Sequence, residues 1–523
     1  MKNSSWITAS IAVLAAVTAL TAVNFQRFPF FLDIYYHLNV MRGFDTAGGI
    51  VSRAFWELAP VGQPLLYPPL FHIALLGLYK TGMGILSVAR LSSVLPVITL
   101  FAVIFITTCR LHSAKRAFFT LLAVCIPYSF FLKMTITVPV TISLIFTILA
   151  FFALERRRLA ACSIFLALVF YTHLALPWMA CAAFILYGLF EKKARRDALS
   201  CVLFAICLSV PQLIHTASNI NRLAGPLGIP MPEGKMFEIY PIIYLLAAVD
   251  IAKANSVWGM QGKRIRLFSL SILVGFLPLA FNYGFRYISA EGMFPVLLLA
   301  GAGLEYIYDL LKGLFRNKLC GGFAPVIYTF IFCVLFTALC PTISSYVPSD
   351  PPYDRHEFSA HLSDSTIVSL VPALKTHVRP FEISMADDLA KSWADTIKAN
   401  TSKDDIICSN DAFVGGMLSA LSGRANSART FFEVKEPDVP ISEFGAAKTV
   451  VWIRESNGKF SSEINDCILK FGYTVICMDE GAAILIKESG AKVSPVKPVM
   501  GTPLALLALL TALTVAFLGI SRP

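Results

Sequence analysis

The residues able to do chemistry in this chain fall in a few short clusters. The first is Phe31-Leu32-Asp33-Ile34-Tyr35-Tyr36-His37, followed further on by Tyr67-Pro68-Pro69-Leu70-Phe71-His72. An aspartate beside two tyrosines and a histidine could act as a general base or hold a divalent cation, because hard cations take oxygen ligands and often bridge to substrate phosphates. The plainer role is anchoring, since aromatic side chains gather at membrane interfaces whatever the chemistry. His37 and His72 could add metal or substrate contacts, although neither has ligand spacing around it. Tyr67-Pro68-Pro69 reads as a helix start, Pro being favoured at the first helical position. In a site it would shape the loop that roofs Asp33.

A second group is cationic. Arg286 lies in Asn282-Tyr283-Gly284-Phe285-Arg286-Tyr287, ahead of Glu291, and Lys133 in Phe131-Leu132-Lys133-Met134-Thr135-Ile136-Thr137. A guanidinium at the outer lipid boundary can grip a phosphate in fork geometry; pairing with Glu291 or a lipid headgroup is the competing role. Both cations suit an anionic lipid carrier. His173, in Tyr171-Thr172-His173-Leu174, sits near an outer helix end, where a polar residue is either functional or a cap. Asp411, in Cys408-Ser409-Asn410-Asp411-Ala412, occupies an N-cap position, and Arg424 lies nearby in Ser422-Gly423-Arg424.

The elements that position these residues are set by composition. Of 523 residues 56% are hydrophobic and 15% charged, and the mean hydropathy is +0.68, so most of the chain lies in lipid. A net charge of +11 could suggest nucleic acid, but the basic residues cluster between apolar runs: Arg110 to Arg116, Arg156-Arg157-Arg158, Lys192 to Arg196, Lys263-Arg264-Ile265-Arg266 and Lys312 to Lys318. That is the pattern of cytoplasmic loops, and it points to membrane lipid and no nucleic acid as partner. The run Trp6 to Val23 is read as an uncleaved span, because no small-residue cleavage site precedes Asn24-Phe25-Gln26-Arg27. Twelve cysteines are scattered without a Cys-x-x-Cys pair, so neither a zinc site nor a redox motif is indicated.

Counting apolar runs gives roughly twelve spans, at 6–23, 87–109, 117–132, 138–154, 159–175, 176–190, 198–215, 236–252, 267–282, 290–311, 322–341 and 503–520. Every basic cluster then falls inside, with both termini cytoplasmic. This parity requires the short run Pro69 to Tyr79 to be an interfacial helix within a first outer loop, 24–86. The expected fold is a polytopic α-helical membrane protein: a transmembrane domain over 1–341, a small extracytoplasmic α/β domain over 342–500 and a C-terminal transmembrane helix over 501–523. Pro348, Pro351 and Pro352 open the outer domain, in which Asp405 to Cys408 and Lys448 to Ile453 read as strands, and Ser384 to Ala399 and Ala412 to Leu421 as helices. Tyr473 to Met478 and Ala482 to Lys487 flank Asp479-Glu480-Gly481, a hairpin turn.

Asp-x-Tyr-Tyr-His shortly after the first span, here Asp33 to His37, and Tyr-Pro-Pro, here Tyr67 to Pro69, resemble the GT-C superfamily of membrane glycosyltransferases. That superfamily includes protein O-mannosyltransferases, aminoarabinose transferases of lipid A and the catalytic subunits of prokaryotic oligosaccharyltransferases. The resemblance extends to Thr172-His173-Leu174, to Arg286 before a span containing Pro295, and to the outer stretch from Trp393-Ala394-Asp395 to Ser422-Gly423-Arg424. It implies a sugar donor on polyprenyl phosphate or diphosphate, transfer on the outer face to a glycan, lipid or protein acceptor, and an essential acid that maps onto Asp33, and it leaves the anomeric outcome open. It leaves a divalent metal open. Oligosaccharyltransferases carry a second acidic motif where this chain has Lys133-Met134-Thr135-Ile136-Thr137, and a Trp-Trp-Asp-Tyr-Gly motif where it has Ser409-Asn410-Asp411-Ala412-Phe413. The resemblance therefore leaves a monosaccharide transferase or a divergent member that has lost activity. The competing classes are a transporter or flippase, which calls for ionisable residues and broken helices near the midplane, and a non-catalytic protein that binds lipid-linked glycans. Asn400-Thr401-Ser402 fits a glycosylation sequon, a triplet common by chance.

Overall fold

The structure, a computed structural model, describes residues 3–521 apart from 32, 224–236, 254–262, 283, 316–323, 339, 347–356, 376–387, 429–441, 455–459 and 461–462. Pro348, Pro351, Pro352 and the first residues of the expected 384–399 helix lie outside the described residues.

Helix α1 (Asn3–Val23) is followed by a segment that is itself folded. Helix α2 (Asp33–Ala47) begins with Asp33 in its first turn, where a carboxylate opposes the positive end of the helix dipole. Reading 24–86 as a loop did not foresee this helix. The strands β1 (Gly49–Ile50), β2 (Arg53–Ala54) and β3 (Gln63–Pro64) follow, and then α3 (Leu70–Lys80). At about 1.5 Å per residue, α3 covers roughly half of the ~30 Å of a hydrocarbon core, so it is too short to cross by itself.

Further along come α4 (Ile85–Leu111), α5 (Ala114–Cys125), α6 (Tyr128–Ile136), α7 (Val138–Glu155), α8 (Leu159–Phe170), α9 (Leu176–Phe190), α10 (Arg195–Leu208), α11 (Val210–Ser218) and α12 (Pro241–Ala252). The expected span 117–132 is two helices, because Pro127 ends the ladder of α5 and stands at the N-cap of α6. The expected span 198–215 is likewise the pair α10 and α11, bent by 62° where Pro211 opens α11. The expected span 236–252 starts as a strand, β4 (Phe237–Ile239), before Pro241 begins α12. Six helices among the described residues are long and apolar enough to cross a membrane, or seven with the bent pair; α8, α9 and α12 are shorter apolar helices.

Close packing inside the bundle relies on small residues. Gly303 of the helix Met293–Phe315 lies against α12 so tightly that a Cβ there would meet the Leu246 carbonyl oxygen at 1.9 Å. Gly303→Ala should therefore lower stability by about 1–3 kcal/mol, read as a lower unfolding temperature in detergent. A melt unchanged from wild type would mean that the two backbones part without cost.

Ion pairs join helix ends on one face of the bundle. Lys115 binds Asp309 at 2.5 Å, Arg116 pairs with Glu305, and Arg266 holds Asp250 at 2.7 Å. Arg264 reaches Glu155 at 2.9 Å. These contacts gather the starts of α5 and Lys263–Gly275 with the ends of α7, α12 and Met293–Phe315.

The remaining strands are β5 (Thr342–Tyr346), β6 (Glu357–His361), β7 (Ile406–Ser409), β8 (Ala425–Asn426), β9 (Thr449–Ile453), β10 (Thr474–Met478), β11 (Ala482–Ile486) and β12 (Met500–Gly501). A five-stranded sheet runs β10-β11-β9-β7-β8, with β7 parallel to both β8 and β9. Segment 342–500 is not one sheet unit: β5 lies between β4 and β6 and pairs with both, and β12 pairs with β1 of the first loop. The first loop and the sheet share one apolar core, in which Ile34, Met41 and Trp56 meet Leu418 and Trp452. Asn39, fully buried, donates to the Gly416 carbonyl at 3.0 Å and stitches α2 to the helix Ala412–Ser422.

Candidate active site

The end of the bundle opposite the ion pairs collects the polar residues. Asp33 stands at the N-terminus of α2 within electrostatic reach of both Arg286 and Lys133. Burial pushes its carboxyl up to about 6, and the two cations act against that rise. Lys133 is buried in α6 with its ammonium 4.8 Å from the centre of the Phe285 ring, which sets α6 beside the short helix Gly284–Ser289. Arg286, on that helix, pairs through Nη2 with Glu291 Oε1 at 2.6 Å, and Glu291 is fully buried. Pairing with Glu291 and service to the site are thus compatible, because the carboxylate orients the guanidinium. Tyr244 and Tyr287 steady this segment by donating their hydroxyls to the carbonyls of Ile288 and Leu273.

Behind Asp33 on α2, His37 meets His72 of α3, Nδ1 to Nε2, at 3.0 Å. Burial first, then the neighbouring His72 and His173, hold His37 well below the ordinary histidine range, and burial takes His72 down to about 3. Two neutral rings satisfy this contact with one hydrogen between them. Tyr36, Tyr67 and Phe71 enclose the pair, the His37 ring lying 5.0 Å from Tyr67 and from Phe71. Tyr35 turns into the core shared by the first loop and the sheet.

His173 lies in the turn between α8 and α9. Its Nδ1 accepts the backbone N–H groups of Ala175 and Leu176, so it does cap α9. It also stands beside the site: its ring is 5.9 Å from Tyr67, and burial together with the Arg286 charge lowers it to about 3. A backbone bond from Leu70 to the Tyr171 carbonyl, 2.9 Å, ties this turn to the start of α3.

Two of the sequence candidates serve elsewhere. Asp411 caps Ala412–Ser422, accepting from Phe413 and Val414, and Arg424 donates to the carbonyls of Thr401 and Ser422. The sequon asparagine, Asn400, bonds the Thr396 carbonyl.

Among the described residues no three His, Cys, Asp or Glu side chains gather to hold a cation. Glu291 is committed to Arg286, and His37 and His72 are turned toward each other. This donor set does not fit a divalent cation, and no step below runs through one.

Asp364 escaped the sequence reading. Buried, it accepts from the hydroxyls of Tyr240, Thr342 and Ser369, while its own carbonyl takes the Tyr128 N–H. It thereby fixes the start of α6, the helix that carries Lys133. The signal was the short polar run Ser363-Asp364-Ser365-Thr366, which has no motif of its own.

No family model matches this sequence, and no curated relative matches it. Solved structures do. The apo oligosaccharyltransferase of Archaeoglobus fulgidus superposes with a TM-score of 0.57 at 10% identity, over 86% of this chain and 69% of that one. ArnT from Cupriavidus metallidurans gives 0.52 at 13% identity in the apo state, over 92% of this chain and 98% of that one. The same protein bound to undecaprenyl phosphate gives 0.52 at 12% identity, over 93% and 99%. At these identities the likeness speaks for the fold alone: the chain shares the fold of the archaeal oligosaccharyltransferase and of ArnT.

Proposed function

We propose that this protein transfers a sugar from a polyprenyl-phosphate carrier to an acceptor hydroxyl on the outer face of the membrane. The observation that carries the reading is a half-buried carboxylate, Asp33, within electrostatic reach of two cations, Arg286 and Lys133, at one end of the bundle. The acceptor oxygen attacks the anomeric carbon, its proton passes to Asp33, and the bond from that carbon to the phosphate oxygen breaks. Negative charge then grows on the departing lipid phosphate, where Arg286 and Lys133 neutralise it. Glu291 holds Arg286 for this task, and Asp364 holds α6 for Lys133. The likeness to a structure solved with undecaprenyl phosphate supports a lipid-linked donor.

The test is transfer from a panel of radiolabelled polyprenyl-phosphate sugars by the reconstituted protein and by an Asp33→Ala variant. Transfer by the wild type that disappears in the variant is the expected result. Equal transfer by both would remove Asp33 from the mechanism, and a wild type inactive with every donor would favour a protein that only binds lipid-linked glycans.

A further inference from the structure

The two ring nitrogens of His173 have separable duties. Nδ1 accepts from Ala175 at 3.1 Å and from Leu176 at 3.2 Å, satisfying two of the backbone donors that open α9. A nitrogen that accepts cannot also carry the hydrogen, so the neutral ring bears its hydrogen on Nε2. Charging the ring would break both bonds and set a cation against the positive end of a helix. The Arg286 guanidinium opposes that charge as well. The cap therefore makes His173 a neutral donor with a fixed tautomer.

That ring also belongs to the cluster around Asp33. It lies edge-on to Tyr67, and it interacts electrostatically with Arg286 and His37. We propose that the Nε2–H of His173 donates a hydrogen bond to the phosphate group held beside Arg286, which makes His173 a phosphate-binding residue. The inference rests on the reading of the site given above. A neutral donor suits the place. Arg286 and Lys133 already supply two positive charges, and a third would hold the product phosphate more tightly and depress the base Asp33. A neutral N–H orients the phosphate without either effect.

Two replacements separate the duties. In His173→Asn, the side-chain oxygen stands where Nδ1 stood, so the cap survives and the distal donor is lost. In His173→Gln, the amide N–H reaches the position of Nε2 while the cap is weakened. The full-length protein in nanodiscs is titrated with a short-chain polyprenyl monophosphate, with inorganic phosphate, and against discs enriched in phosphatidylglycerol, alongside thermal unfolding. The Asn variant should melt like the wild type yet bind the phosphate at least about 10-fold more weakly, as expected for a lost hydrogen bond to a charged group. The Gln variant should melt lower and keep most of the affinity. A loss shared by polyprenyl and inorganic phosphate identifies the phosphate group itself as what Nε2–H recognises. A loss confined to the polyprenyl compound identifies the carrier, and one confined to phosphatidylglycerol discs identifies a headgroup. Wild-type affinity for every ligand in the Asn variant, or losses that merely follow the melting temperatures, would overturn the inference and leave His173 as a cap. A wild type that binds no phosphate ligand would instead sink the proposed function, which the Arg286→Met variant checks independently by its own loss of binding.

Discussion

Asp33→Asn should lower the rate of sugar transfer by about 10²–10⁴-fold, the usual contribution of a positioned general base, while the protein folds as before. Asn fills the same volume and cannot take the acceptor proton. The variant should also melt no lower than the wild type at neutral pH. Burial raises the Asp33 carboxyl to about 6, so between its ordinary value of 3.8 and about 6 the folded protein holds a proton that the unfolded chain releases. Stability therefore falls as pH rises through that window, and removing the carboxyl removes the penalty. Activity runs the other way, since only the ionised carboxylate is a base: the acid limb of the rate profile should lie near pH 6, well above an ordinary aspartate. Lys133→Met takes away one of the charges that hold Asp33 down, so it should move that limb to higher pH as well as slow the reaction. The measurement is initial rate against pH for wild type, Lys133→Met and Asp33→Asn. An acid limb near pH 4, or a Lys133→Met limb that stays in place, would break the electrostatic link between these residues and the chemistry.

Local signals in the sequence reported local structure, and pairings between distant segments stayed hidden. Tyr67-Pro68-Pro69 announces the start of α3 because proline tolerates the first helical turn and little of the rest. Asp411 sits where an N-cap is needed, and Asp479-Glu480-Gly481 turns the chain between β10 and β11, whose residues Thr474 and Ile486 face each other. The grouping of Asp33, Lys133 and Arg286 was expected from one shared membrane face, an argument about sidedness that hydropathy and charge can support. No run of hydropathy could show that Pro127 splits one apolar stretch into α5 and α6, or that β4, at 237–239, pairs with β5 more than a hundred residues on. Helix α2 was missed because its apolar residues lie on nearly every side: the core shared with the sheet buries Ile34 through Phe44 almost without a break, so no polar stripe marks a helical face. His173 was read as either a cap or a site residue, and only the geometry shows that one ring does the first and stands beside the second.

The basic clusters used to fix sidedness carry a second duty, and it leads to the largest expected loss of stability. Asp250 and Arg266 are 6% and 8% exposed, and they bind in a fork, Nε to Oδ2 at 2.8 Å and Nη2 to Oδ1 at 2.7 Å. Thr108, His112, Arg116 and Thr120 line the same small cavity. An ion pair of this kind adds little over a well-packed apolar pair, because desolvating two charges offsets most of their attraction, but removing one partner strands the other without water. Asp250→Ala should therefore cost about 3–5 kcal/mol, whereas Asp250→Leu combined with Arg266→Met should recover most of that loss. Thermal unfolding of the single and double variants in detergent measures the coupling between the two positions. The pair lies at the end of the bundle away from Asp33, so transfer per folded molecule should be unchanged in both. An Asp250→Ala protein as stable as the wild type would mean that Arg266 finds water or another partner in that cavity, and a double variant as unstable as the single one would mean that the fork itself, rather than a stranded charge, holds α12 to its neighbours.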